Sequence, residues 1–284
     1  MKRRLIIAVA LLVSMLSACA IVSVGYNYAD TLLRYSINGY ASFTAAQKDT
    51  IKLEVNVFMV WHRKNMLPEY VDFLQELQRV AQSGVALHKE DVTRFRSEVR
   101  SLYVKTLQPT VRPSAIFLTG VNSAQVQELV ESFAKENKKQ RDKELSGDRD
   151  ELLRKRAERT IDYLENLVGD FSDEQLEKIR EMSRKLPFAT GIYISQREEN
   201  QARLIELLKN NRSEEEIYAL LSIWLITPEA NRSPEERSMM LAFENGSDEM
   251  IANVYGMLTD HQKKTLLKNI MKYINTFQEL ANQT

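Results

Sequence analysis

One short pattern occurs four times along this chain and restricts what it can fold into: an apolar residue, then Thr, Ser or Asn, then two residues and Gln. The copies are Phe43-Thr44-Ala45-Ala46-Gln47, Val121-Asn122-Ser123-Ala124-Gln125, Phe171-Ser172-Asp173-Glu174-Gln175 and Leu258-Thr259-Asp260-His261-Gln262. Each reads as a capping box. The cap oxygen accepts an N–H that the first helical turn leaves without a partner, and Gln reaches back to the cap's own N–H. Ser213 with Glu216, and Ser233-Pro234 with Glu236, repeat the device with a carboxylate. A chain with this many helix starts is committed to helices.

The spacing between those starts agrees. Apolar residues recur three and four apart at Ile51, Val55, Phe58 and His62; at Val71, Leu74, Leu77 and Ala81; and at Val92, Phe95, Val99 and Leu102, with Tyr103 alongside. The pattern continues at Val126, Leu129, Val130 and Phe133; at Leu153, Ile161, Leu164 and Val168; and at Leu176, Ile179 and Met182. Ile217, Leu220, Leu221 and Trp224 follow, then Leu266, Leu267, Ile270, Ile274 and Phe277. Leu67-Pro68 places Pro at a first helical position. Stops are expected at Ser83-Gly84, Pro109, Ser146-Gly147, Val168-Gly169, Pro187, Thr227-Pro228 and Asn245-Gly246. With 9 Gly and 6 Pro in 284 residues, turn-rich β architecture is poorly supplied. The four Gln are unevenly spaced, which excludes a solenoid. The expected fold is all-α, an irregular bundle of about ten amphipathic helices.

The N-terminus carries a different message. Lys2-Arg3-Arg4 precedes the apolar run Leu5–Val13, and Leu16-Ser17-Ala18-Cys19 follows. Positive start, apolar middle and small residues before a cut mark a secretory signal. The ending resembles the lipobox of Gram-negative bacterial lipoproteins. That resemblance implies cleavage after Ala18, acylation of Cys19, and three acyl chains holding the protein to a membrane. Ala20 is not the Asp that in that class tends to retain proteins at the inner membrane, so the outer membrane is implied, with the body facing the periplasm. Cys19 is the only cysteine, so no internal disulfide can form. An uncleaved anchor helix is the competing reading, because Leu5–Ala29 contains no charged residue. The expected organisation is a signal peptide over 1–18, an anchor and membrane-proximal segment over 19–43, and a helical domain over 44–284. A break into two lobes would fall near Gly169. The membrane-proximal segment is rich in Tyr, at Tyr26, Tyr28, Tyr35 and Tyr40. Those rings could lie at headgroup level or pack on the domain.

Charge and chemistry narrow the function classes. The whole chain balances 39 cations against 39 anions, and removal of residues 1–18 takes Lys2, Arg3 and Arg4 with it. Nucleic acid is therefore not an expected partner. The charged stretch Ala134–Glu165 interleaves both signs, as a solvated face or a projecting hairpin does. His62, His88 and His261 form no metal-binding ladder, and neither a phosphate loop nor a nucleophile elbow is present. No metal or cofactor is expected, and catalysis is disfavoured.

Trp61-His62-Arg63, followed by Leu67-Pro68-Glu69-Tyr70, is the densest local group of functional side chains. Trp61, His62, Arg63 and Tyr70 could form a polar ligand pocket, with Arg63 for a carboxylate or phosphate. Packing is the alternative: Trp61 in the core, with His62 and Arg63 bonded to helix-end carbonyls and neighbouring acids. The lipobox, Tyr26-Asn27-Tyr28, the Trp-His-Arg element and the helix boxes together resemble a family of Gram-negative lipoproteins without known function. A weaker resemblance, through Leu258-Thr259-Asp260-His261-Gln262, is to periplasmic stress chaperones of the Spy and CpxP type. The lipoprotein family carries no established activity to transfer; the leading expectation is a non-enzymatic binding, scaffold or chaperone-like lipoprotein with an envelope protein partner. An envelope enzyme or small-ligand binder with a cleft at His62, Arg63 and Tyr70 is the alternative.

Overall fold

The computed structural model describes residues 22–283; the signal segment and Cys19 lie outside them. The described residues are helical, without a strand among them. Residues 22–27 run into α1 (Ala29–Asn38). Then come α2 (Ala45–Ser83), α3 (Lys89–Thr119), α4 (Ser123–Glu144), α5 (Arg149–Val168), α6 (Asp173–Lys185), α7 (Thr190–Lys209) and α8 (Glu214–Ile226). A 3-10 turn (Pro228–Asn231), α9 (Pro234–Gly256) and α10 (Asp260–Ala281) complete the order. The all-α bundle is as the sequence indicates. No described helix is long and apolar enough to cross a membrane.

All six capping boxes form. Asp148 caps α5 by accepting from Glu151 N–H, a start the sequence reading missed. Gly84, Gly147 and Gly169 occupy positive φ, at 69°, 119° and 86°, as helix-ending glycines do.

Three apolar clusters form the interior. The first joins Ile51 and Val55 of α2, Val111 and Ala115 of α3, Val126 and Leu129 of α4, Leu204 and Leu208 of α7, and Ile217 and Leu221 of α8. The second joins Ile161 and Val168 of α5, Ile179 of α6, and Met250 and Val254 of α9. Phe171 belongs to the same cluster, so side chains on both sides of Gly169 pack together. The third sets Val71 of α2 against Ile270 and Ile274 of α10. At 39 residues, α2 spans about 58 Å and reaches the first and third clusters.

Five local expectations are corrected. Pro68 does not begin a helix, and Pro109 does not end one; α2 runs through Pro68, and α3 runs through Pro109 and Pro113. A proline inside a helix costs about 3 kcal/mol. Beside Pro68, Met66 and Leu67 are 2% and 1% exposed. Burial of two such side chains contributes roughly 1.5–3 kcal/mol each, enough to carry the helix across. Each proline frees the carbonyl four residues back, and Lys64, Lys105 and Pro109 are all exposed, so water can bind there.

Asn245-Gly246 does not stop α9. At Gly246 a Cβ would meet Leu186 Cδ2 at 2.7 Å, so the bare glycine lets the Leu186 side chain pack against α9 at the end of α6. In α5 the buried position is Leu152 rather than Leu153. Val99, expected on the buried stripe of α3, is 50% exposed.

The charged stretch is not a hairpin projecting from the body. From their junction, α4 packs on α7 while α5 packs on α6 and α10. Asp248 of α9, 1% exposed, is held by the Arg96 guanidinium at 2.9 Å and accepts from Thr93 Oγ1 at 2.7 Å, joining α9 to α3.

The four Gln boxes pair across the fold. In α2 and α4, Gln47 Nε2 donates to Gln125 Oε1 at 3.1 Å, and Gln125 Nε2 donates back to Gln47 Oε1 at 2.6 Å. The second Nε2 hydrogens go to Gly120 O and Ser42 O. In α6 and α10, Gln175 and Gln262 exchange bonds of 2.9 and 3.1 Å and donate to Met257 O and Asp170 O. In every case the carbonyl lies two residues before the partner's cap, and each amide uses both donors and both acceptor positions.

Candidate functional site

The Trp-His-Arg element sits midway along α2, where the segment before α1, the middle of α3 and the end of α10 approach. His62 bonds with both ring nitrogens: Nδ1 lies 2.9 Å from Tyr26 Oη, and Nε2 lies 3.3 Å from Tyr70 Oη. Tyr70 Oη is 2.6 Å from Thr106 Oγ1, which donates to Leu102 O at 2.8 Å. That last bond sets the direction of the chain. Thr106 gives its proton to Leu102, so it accepts from Tyr70; Tyr70 then accepts from His62 Nε2–H, and Nδ1 accepts from Tyr26. The result is a one-way hydrogen-bond chain through a neutral imidazole. Burial lowers the proton affinity of His62 below the ordinary imidazole value. Burial also raises Tyr26 to about 12, opposed in part by nearby Arg63 and reinforced by Tyr70.

Arg63, one residue on, points to another side of α2. It donates to Leu280 O at 3.0 Å, capping the end of α10, and to Asn27 Oδ1 at 3.0 Å. Its guanidinium also lies 5.1 Å from the Tyr26 ring centroid. Trp61 is half-buried, with its ring 6.0 Å from Phe58. The four expected residues therefore do not face one pocket. His62 and Tyr70 are bonded to each other, Arg63 ties down the last helix, and Trp61 packs locally.

Two concavities flank this knot. On one side is an open groove between α2 and α3, about 360 Å³, lined by Tyr70, Phe73, Leu74, Val99, Leu102, Tyr103, Thr106, Leu107 and Phe277. Its lining is apolar except for the Tyr70–Thr106 pair and the Tyr103 hydroxyl. Val99 and Tyr103 stand on its rim, 50% and 48% exposed. On the other side, Tyr26, Asn27 and Asp30 face Asn56, Val60, Arg63 and Lys64 across a larger cleft of about 910 Å³ with mixed polar and apolar walls.

Sequence reasoning found Tyr70 but missed Thr106, Phe73 and Phe277, which only the packing of three helices brings together. Val99 was visible as an apolar residue, not as an exposed one. Among the described residues, no three His, Cys, Asp or Glu side chains are placed to hold a metal.

No curated protein and no solved structure matches this chain. One family model does, over residues 39–237, and its description is a family of unknown function (DUF6279). The match takes in the Trp-His-Arg element, the groove walls on α2 and α3 and the first glutamine pair; α10, with Gln262 and Phe277, lies beyond it. By this match the chain belongs to the DUF6279 family, a family of unknown function.

Proposed function

We propose that this protein is a non-enzymatic binding or scaffold lipoprotein, acylated at Cys19, held to the outer membrane and facing the periplasm. Its groove between α2 and α3 would receive an apolar segment of an envelope protein partner. The observation that carries this reading is the groove itself: an open, largely apolar hollow on α2, α3 and α10, with Val99 and Tyr103 exposed on its rim. The His62 chain supports it from behind by fixing Tyr70 and Thr106 at the groove floor. Two features weigh against acid–base work by His62: both ring nitrogens are bonded, and burial favours the neutral form. The glutamine boxes, whose amides are fully used inside the fold, leave nothing for a client, so a chaperone-like role would also fall to the groove.

The test is site-specific photocrosslinking in intact envelopes, with the crosslinker at Tyr103 on the groove rim and at Tyr163, 72% exposed and outside the groove. A discrete adduct at 103, absent at 163 and lost in Cys19→Ala, is expected. Identical patterns at the two positions would refute groove binding. The cleft at Arg63 gives a second, weaker reading as a small-anion site, since it borders Arg63 and Lys64, although Asp30 lines it too. Arg63 already donates to Leu280 and Asn27, which lowers its value to a ligand.

A further inference from the structure

The helical segment before and through α1 has two unlike faces. Its inner face is fixed to the domain: Tyr26 bonds His62, Asn27 bonds Arg63, and Ile37 packs on the first cluster. Its outer face presents Val24, Tyr28, Leu32 and Tyr35 at 53%, 62%, 58% and 80% exposure. Positions 24, 28, 32 and 35 follow a four-four-three spacing, so they form one stripe on a helix. No charged side chain interrupts it. The only charged residues of α1, Asp30 and Arg34, pair with each other at 2.6 Å, and Asp30 borders the cleft toward α2.

An exposed aromatic and aliphatic stripe of this length, about 16 Å along the helix axis, has no covering partner within the described chain. What stands near it is set by covalent reach. Cys19 is three residues before Val22, and three residues span at most about 11 Å in any conformation. An acyl group on Cys19 therefore keeps the start of this helix within roughly the depth of a headgroup layer. Tyrosine rings, apolar at the body and polar at the tip, suit that layer.

We propose that the outer face of this helix lies in the headgroup region of the membrane that holds the acyl chains, through Val24, Tyr28, Leu32 and Tyr35. This rests on the acylation of Cys19 proposed above. The helix acts as an interfacial mount and not as a loose tether. Because its inner face is bonded to α2, the mount sets the orientation of the whole domain, and the groove on α2 and α3 is held at a fixed attitude to the lipid surface.

The test uses the acylated full-length protein in vesicles of phosphatidylethanolamine and phosphatidylglycerol. With Cys19 acylated, an introduced cysteine is the only free thiol. A polarity-sensitive fluorophore is placed in Tyr28→Cys, Tyr35→Cys or, as a remote control, Lys178→Cys. The labels at 28 and 35 are expected to blue-shift on vesicle binding and to be quenched by lipids with brominated chains, and the label at 178 to do neither. Adding Val24→Glu and Leu32→Glu is expected to abolish quenching at 35 while the protein still floats with the vesicles and keeps its melting temperature. Intact mass separates the two levels of the argument. An unmodified Cys19 removes the anchor and this inference with it. An acylated protein whose labels stay in water overturns the inference alone. So does protection at 28 and 35 without lipid quenching but with energy transfer between labelled copies, which would make a second copy of the chain the occupant.

Discussion

The two glutamine pairs bear the same eight hydrogen bonds, box for box, at different depths. Gln47–Gln125 joins α2 to α4 with bonds of 2.6 to 3.2 Å. Gln175–Gln262 joins α6 to α10 with bonds of 2.8 to 3.3 Å. In the second pair both side chains are buried, at 9% and 4% exposure; in the first, Gln125 is 2% exposed but Gln47 is only half-buried. Bond count therefore does not rank the two joints. What ranks them is whether water can reach a group that loses its partner: it can at Gln47, and it cannot between Gln175 and Gln262.

Isosteric Gln→Glu changes break this comparison most directly. Gln262→Glu keeps the shape, removes two donors and buries a charge against Asp170 O and Gln175 Oε1, at an expected cost of about 4 kcal/mol near pH 7. Urea melts should show that deficit shrinking in acid, because a buried carboxyl surrounded by oxygens takes up its proton readily. A deficit that grows in acid would contradict this assignment. Asp248→Ala, in neither pair, gives the scale for a charged joint: about 2 kcal/mol lost, since Arg96 loses its buried partner but keeps Glu244 and is partly open to water. Gln47→Glu should cost about 1.5 kcal/mol, because solvent can take over part of the lost bonding. Equal costs for Gln47→Glu and Gln262→Glu would show that depth does not matter.

The smallest expected effect is that of His62→Gln, under about 1 kcal/mol at pH 8, since Gln offers one donor and one acceptor to Tyr26 and Tyr70. Its pH dependence is more telling. Burial lowers the proton affinity of His62 in the folded protein, so the unfolded chain binds more protons. The stability held by neutral His62 is full above the unfolded pKa of about 6.5 and declines as pH falls below it through the folded value. Thermal melts should show the variant losing less stability than the parent over that acidic range.

Local chemistry was legible in the sequence, and long-range pairing was not. Thr44 to Gln47 states its own box, because cap and Gln are three residues apart. Nothing near Gln47 names Gln125 as its partner, since that depends on how α2 and α4 pack. The prolines misled for a related reason: Pro68 reads as a break until the burial of Met66 and Leu67 is known. Gly246 reads as a stop until Leu186 is seen against it. At the candidate site, His62 and Tyr70 were legible as near neighbours in sequence, but the expected helix start at Pro68 set them on different helices, whereas α2 carries both. Thr106 and Phe277, contributed by other helices, were not legible.

Each glutamine pair sets the starting ends of two helices side by side, and such ends carry roughly half a positive charge apiece. Left bare they would push each other away. The oxygens aimed at them, from two amides and two caps, are all neutral. A fastening of this kind neither titrates nor attracts counterions, so acid and brine leave it alone while they loosen ion pairs such as Arg141–Glu198 on the outside. Of the joints that hold distant parts of this chain together, these two are thus less exposed to a change in the surrounding medium than charged ones such as Arg96–Asp248.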